Sequence, residues 1–258
     1  MARLALWFGA ALVTILLTVL FFLPAASMVN ILEQQTAGRL TLGDPQGSIW
    51  HGSAFIGGAP SGTDPVTPLL PGRFTWQLSP MVLLGQVHLR LENPSSLGAP
   101  IQVTGSWSDW QVSASSITQP AERLAGLGAP LNTLKPSGEM RLTWDTLNLQ
   151  RQGQQVDLRG KTTLELNDIG SAVSSIKPLG SYQLTMQWEG QQAKMALATV
   201  KGPLLLSGKG HLQGGHFEFS GKAEAAKGEE ERLANLLNLL GQRRTEGDKN
   251  IIALEFRQ

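Results

Sequence analysis

A glycine-rich loop that ends in lysine can cradle a phosphate group, and two stretches of this chain invite that test. Gly202–Lys209 and Gly215–Lys222 each set a Gly-Lys pair after an earlier glycine, but with five residues between the glycines, where a phosphate loop has four. Gly210 and Ala223 stand where a serine or threonine would hold magnesium. Both stretches read as glycines at strand ends. The histidines are His51, His88, His211 and His216, with no His-x-x-x-His pair to frame a zinc hydrolase. His211 and His216 flank Gly214-Gly215 and read as surface neighbours facing each other across a turn. There is no Gly-x-Ser-x-Gly elbow. The carboxylates are scattered along polar faces. Zero cysteines exclude a disulfide framework, a thiolate zinc site and a cysteine nucleophile. No catalytic residue, metal ligand or cofactor site emerges, so the chain reads as non-catalytic.

The element that positions everything else is the apolar run from Leu4 to Leu23, which follows Arg3 and stays uncharged until Glu33. As a helix rising about 1.5 Å per residue it reaches roughly 30 Å, the thickness of a bilayer's hydrocarbon core. Arg3 precedes the run, and cationic residues are retained on the cytoplasmic side, so the body is expected outside. The alternative is a cleaved signal peptide, for which Ala25-Ala26-Ser27 supplies small residues. Against it, a signal's apolar region runs about 7 to 15 residues, and this one is longer. The boundaries expected are a cytoplasmic stub at 1–3, a transmembrane helix at 4–26, a juxtamembrane connector at 27–46 and a β-rich domain at 47–258. The helix is expected to continue to about Ala37, with Gly38 as its C-terminal cap.

A formal net charge of +1 with 16% charged residues leaves no basic face for nucleic acid. The body reads as strands. Gly47-Ser48-Ile49-Trp50-His51-Gly52 places a tryptophan between close glycines, which suggests a strand edge with tight backbone approach. The Gly/Pro-rich stretch 57–72 reads as a loop. Beyond it Phe74, Trp76, Leu78 and Val87, Leu89, Leu91 alternate with polar residues, as in antiparallel strands with one wet face. Val103, Trp107, Trp110 and Val112 take apolar positions in two strands broken near Ser108, and a short helix is expected at 121–125. Lys135-Pro136-Ser137-Gly138 and Lys177-Pro178-Leu179-Gly180 each lead into a strand bearing a tryptophan and then Gly-Gln-Gln, which argues for hairpins laid side by side. Gly214-Gly215 marks another hairpin. Leu233, Leu236, Leu237 and Leu240 recur at helical spacing, with Gly241 as the stop, and predict a helix over 229–240 whose stripe must be buried. Ile252, Leu254 and Phe256 alternate in a last strand. Of the seven tryptophans, core packing accounts for most; a carbohydrate- or lipid-binding face is the sharper reading.

The whole layout resembles the type II secretion system protein N family. The residues that carry the likeness are Gly47, Ile49, Trp50 and Gly52 after the single span, with Leu236, Leu237 and Gly241 near the end. That resemblance implies a bacterial inner-membrane protein with a periplasmic domain, which serves the machine moving folded proteins across the outer membrane. It implies no enzymatic activity, metal or cofactor; the partners would be other inner-membrane and periplasmic secretion subunits. The family is also distantly similar to AsmA-like proteins, so a membrane-anchored lipid-binding or lipid-transfer module is the alternative. The fold expected is mainly β: a long curled antiparallel sheet on an N-terminal transmembrane helix, with one or two short helices.

Overall fold

The computed structural model describes residues 7, 11, 14, 18, 21–36, 38, 40–58, 67–68, 70–123, 133, 135–153, 155–240, 242–246 and 249–257. The chain divides into two compact units, Met1–Ser95 and Ser96–Gln258, and both are antiparallel β. Among the described residues no helix is long and apolar enough to cross a membrane. The span expected at 4–26 lies mostly outside the described residues, of which Trp7, Ala11, Thr14, Thr18 and Phe21 are helical. A helix running on to Ala37 is not what forms: the chain leaves helix at Leu23 and Pro24, since proline disfavours helix at the residue before it. A separate helix, α1 (Ser27–Gln35), follows. Gly38, at φ +75, donates its N–H to Glu33 O at 2.8 Å and so closes α1 as expected of a C-terminal glycine.

In the first unit β1 (Leu40–Gly47) pairs β2 (His51–Gly58), which pairs β4 (Phe74–Leu78), which pairs β5 (Gln86–Glu92). Within the stretch expected to be loop, Gly57 and Gly58 instead pair β3 (Thr67–Pro68); residues 59–66 and 69 lie outside the described ones. Ala25, Ala54 and Trp76 form the buried core, with Met28, Leu42, Leu89 and Leu91 packed on it. A 3-10 turn, Pro80–Leu84, joins β4 to β5.

The second unit is one large open antiparallel sheet. Its strands are β6 (Ile101–Ser106), β7 (Asp109–Val112), β8 (Ser115–Pro120), β9 (Pro136–Trp144), β10 (Leu147–Gln152) and β11 (Gln155–Ser171). They continue with β12 (Gly180–Gly190), β13 (Gln192–Lys201), β14 (Leu204–Gln213), β15 (His216–Ala225), β16 (Gln242–Glu246) and β17 (Lys249–Arg257). From β11 to β15 each strand pairs the next, and β17 then inserts between β15 and β16. The two Pro-x-Gly units form hairpins as expected. In the first, β9 and β10 lie along one edge of β11, with Trp144 opposite Thr162 but Asn148 opposite Arg159, so the Asp145–Thr146 segment carries one extra residue as a bulge. Trp107 departs from expectation, since it sits in the β6–β7 turn and is 60% exposed. The helix expected at 121–125 is described only at Ala121, Glu122 and Arg123, as a 3-10 turn.

The helix predicted at 229–240 is present as α2 (Glu230–Leu240). Glu230 and Glu231 occupy its positive N-terminal turn. Leu233, Leu236 and Leu237 are buried in a cluster with Ile176, Leu179, Tyr182, Leu204, Ala223, Ile252 and Leu254. The helix therefore caps one end of the sheet's apolar face, and the final strand closes beside it.

Candidate interaction surface

Register decides what the sheet presents. Opposed residues in an antiparallel pair share a face, so Leu142, Leu164, Leu184 and Leu197 form one row across β9, β11, β12 and β13. Met186 and Met195 extend the next row, and Trp188, Ala193, Leu212 and Phe217 the one nearest the turns. The opposite face carries Gln183, Gln187, Glu189, Lys194, Lys209 and His211, all exposed. One face is apolar and one is wet, as the alternation predicted.

The apolar face is covered unevenly. Around α2 it is buried, but towards the hairpin turns Leu184, Met186, Trp188, Met195, Leu212 and Phe217 are only half-buried. Trp144 Nε1 donates to Ser113 O at 2.9 Å, and Trp188 Nε1 donates to Thr162 Oγ1 at 3.0 Å. With their polar atoms tied into the sheet, the rings offer only carbon outward. An uncovered apolar face of this kind is suited to contact with lipid or protein. Between the Gly190 and Gly214 turns lies an open groove of about 840 Å³, lined by Asp157, Arg159, Gln187, Trp188 and Gln213 among others.

The glycines of the two phosphate-loop-like stretches have a different use. Gly208 lies opposite Gly221, and Gly210 opposite Phe219, with the Phe219 ring lying over all three. A Cβ on Gly208 would stand 2.5 Å from Phe219 Cζ, and one on Gly221 2.9 Å from Cε1. These glycines are mid-strand rather than at strand ends; only Gly202 and Gly215 sit at the turns. The histidine pairing also differs from expectation. His211 faces Glu218, with Nε2 at 3.4 Å from Oε2, and His216 faces Gln213. A hairpin closed by Gly214 at φ +58 and Gly215 at φ +83 fixes that register.

Gly47, Ile49, Trp50 and Gly52 are brought together at the β1–β2 turn. Trp50 is buried in the turn itself, not on a strand edge. Gly47, at φ +84, lies where a Cβ would collide with His51 O, and a Cβ on Gly52 would collide with the Trp76 ring. Ser48 Oγ accepts from Trp50 N at 3.3 Å and His51 N at 3.2 Å. Ile49 O accepts from Trp76 Nε1 at 3.1 Å, and Ile49 N donates to Leu23 O at 3.0 Å. The tight approach of glycine backbone was legible; its purpose, to seat the end of the apolar run on the sheet, was not. Leu236 and Leu237 lie in the second unit, on the buried side of α2, and Gly241 lies outside the described residues.

Two features escaped sequence reasoning. Met81, Leu83 and Leu84 are exposed on the 3-10 turn, signalled only by a short uncharged apolar run between Ser79-Pro80 and Gly85. Tyr182 donates its hydroxyl to Leu204 O at 3.1 Å inside the α2 cluster, and burial pushes its phenol above the usual tyrosine range. At the surface, the Lys201 ammonium 2.8 Å from Asp168 Oδ1 holds that carboxyl below the usual aspartate range by hydrogen bond and charge.

Compared with known proteins, residues 38–251 match the sequence model of a family described as type II secretion system protein N. No curated protein and no solved structure matches the chain.

Proposed function

The chain belongs to the type II secretion system protein N family, and on that membership we propose that it is a non-catalytic accessory or assembly component of the secretion apparatus, anchored in the bacterial inner membrane. Family membership implies a part in type II secretion and partnership with other subunits of that apparatus. The finer reading is that the sheet of the second unit serves as a binding scaffold on the periplasmic side, with the stub at 1–3 in the cytoplasm. The observation that carries it is the apolar face left half-buried beyond α2 in a chain of this family. Anchoring draws support from the uncharged run Leu4–Leu23 behind Arg3, and from Phe21 and Phe22, which are 65% and 71% exposed.

A second reading, an AsmA-like lipid-binding or lipid-transfer module, rests on the same face, because half-buried leucines, methionines and tryptophans suit acyl chains as well as protein. The position of α2 favours the scaffold. Its leucines seal one end of the face, so a chain-long lipid path would have to open there. The test is purification of the full chain from detergent-solubilised membranes of cells that express the secretion genes. Secretion subunits in the eluate support the proposal; stoichiometric phospholipid without any subunit supports the alternative.

A further inference from the structure

The end of the first unit that receives the apolar run also carries an exposed apolar turn. Leu23 O accepts from Ile49 N, Pro24 bridges Ser48, and Ala25 N donates to Gly47 O at 3.0 Å. From there the ladder continues sideways: Leu78 N donates to Trp50 O at 2.7 Å, and Ser79 N donates to His88 O at 2.9 Å. The root of the β4–β5 turn is thus about two strand spacings, roughly 10 Å, from the end of the apolar run. Past Ser79 the turn holds Met81, Leu83 and Leu84, which are 43%, 48% and 76% exposed. No charged residue occurs from Ser79 to Val87.

We propose that the Pro80–Leu84 turn is a second contact with the bilayer, seated in the lipid interface beside the anchor. The inference rests on the reading that the run 4–23 is embedded in the membrane. Three properties suit the turn to lipid. Its outward side chains are aliphatic or thioether. Its backbone is satisfied locally: Met81 N donates to Ser79 Oγ at 3.3 Å, Val82 N to Ser79 O at 3.1 Å, and Gly85 N to Val82 O at 3.1 Å. Backbone groups already paired can enter an apolar medium without the penalty that excludes open loops. Gly85, at φ +90, then reverses the chain at once into β5, so only the tip projects. A tip of this size enters the headgroup and upper acyl region, roughly 5–10 Å deep. Two contacts, the span and the turn, hold the first unit at a fixed tilt on the membrane, where one flexible junction would let it swing.

The chain has no cysteine, so single-cysteine variants report single positions. The full chain is reconstituted in phosphatidylethanolamine and phosphatidylglycerol vesicles with brominated acyl chains, carrying an environment-sensitive fluorophore at Leu84→Cys, Leu83→Cys, Phe22→Cys or Thr75→Cys. Thr75 is an exposed position on β4 and marks water. Quenching and a blue shift at positions 84, 83 and 22, with neither at 75, is the expected result. Quenching at 22 with none at 84 and 83 overturns the inference and leaves the anchor standing, with the turn then free for a protein partner. Absence of quenching at all three apolar positions overturns the anchor and the inference with it.

Discussion

Replacing Leu236 by alanine tests whether α2 seals the sheet or rests on it. Leu236 is 3% exposed and lies among Leu233, Leu237, Tyr182, Ile252 and Leu254. The substitution removes three carbons from a closed cluster, a transfer loss of about 2.4 kcal/mol at about 0.8 per methylene. A cavity term adds to it, because the strands β12, β14, β15 and β17 that wall the site are held by their ladders and cannot collapse freely. The sum falls within the roughly 2.7–5.0 kcal/mol range of leucine-to-alanine losses in rigid cores. The assay is equilibrium urea denaturation of the full chain, followed by far-ultraviolet circular dichroism. Asn235→Ala, exposed on the same helix, is the control and should change stability by less than about 0.5 kcal/mol. A Leu236→Ala midpoint indistinguishable from the control would refute the sealing of the sheet by α2. The helix would then be a loosely held lid, and the lipid-transfer reading would gain.

Other expectations follow from single contacts. Trp50→Ala should cost roughly 3–5 kcal/mol in the same denaturation experiment, because the ring is buried in the turn that holds Leu23; an unchanged midpoint would make the ring a contact surface instead. Gly52→Ala should destabilise the first unit, since its Cβ would meet the Trp76 ring and, at 2.7 Å, Ser48 O; hydrogen exchange of β2 and β4 amides reads the loss. Tyr182 is the only tyrosine in the chain, so alkaline absorbance titration reports it alone. Its phenol should resist ionisation in the folded protein, and stability should be full below about pH 10 and fall as pH rises above the free tyrosine value; ordinary titration in the native state would contradict its burial. For Asp168 the sign is opposite: the Lys201 contact contributes above about pH 4, the free aspartate value, and is lost as pH falls through the lowered native one. The effect should be small because the pair is at the surface, and Asp168→Asn should abolish it.

Much of the fold was legible because one face of each strand is apolar and the other wet. Leu184, Met186 and Trp188 alternate with exposed glutamine and glutamate, and no other structure satisfies that pattern as well as a one-sided sheet. The Gly214-Gly215 turn and the leucine stripe of α2 were legible for equally local reasons, turn geometry and helical period. What escaped was set by pairing between distant residues. The bulge at Asp145–Thr146 depends on how β9 and β10 share β11, which spacing along one strand does not encode. The ring of Phe219 covers Gly208 and Gly210 from the neighbouring strand, so glycines resembling a phosphate loop are in fact clearance for an aromatic side chain. His211 meets Glu218 because the hairpin register, not sequence symmetry about the turn, chooses the partner. At the β1–β2 turn, tight glycine packing was readable but its attachment to Leu23 was not, since it runs through backbone hydrogen bonds, which leave no side-chain signature.

Site-specific photo-crosslinking from Met195 most directly tests the claim that the open apolar face is a scaffold for the secretion apparatus. Met195 is half-buried there, opposite Met186 and Gly210. With a photoreactive side chain at that position, illumination of intact secreting cells should yield a discrete protein adduct, identified by mass spectrometry as another subunit of the apparatus. Phospholipid adducts alone, at 195 and at the equivalent face position Leu184, would contradict the scaffold reading.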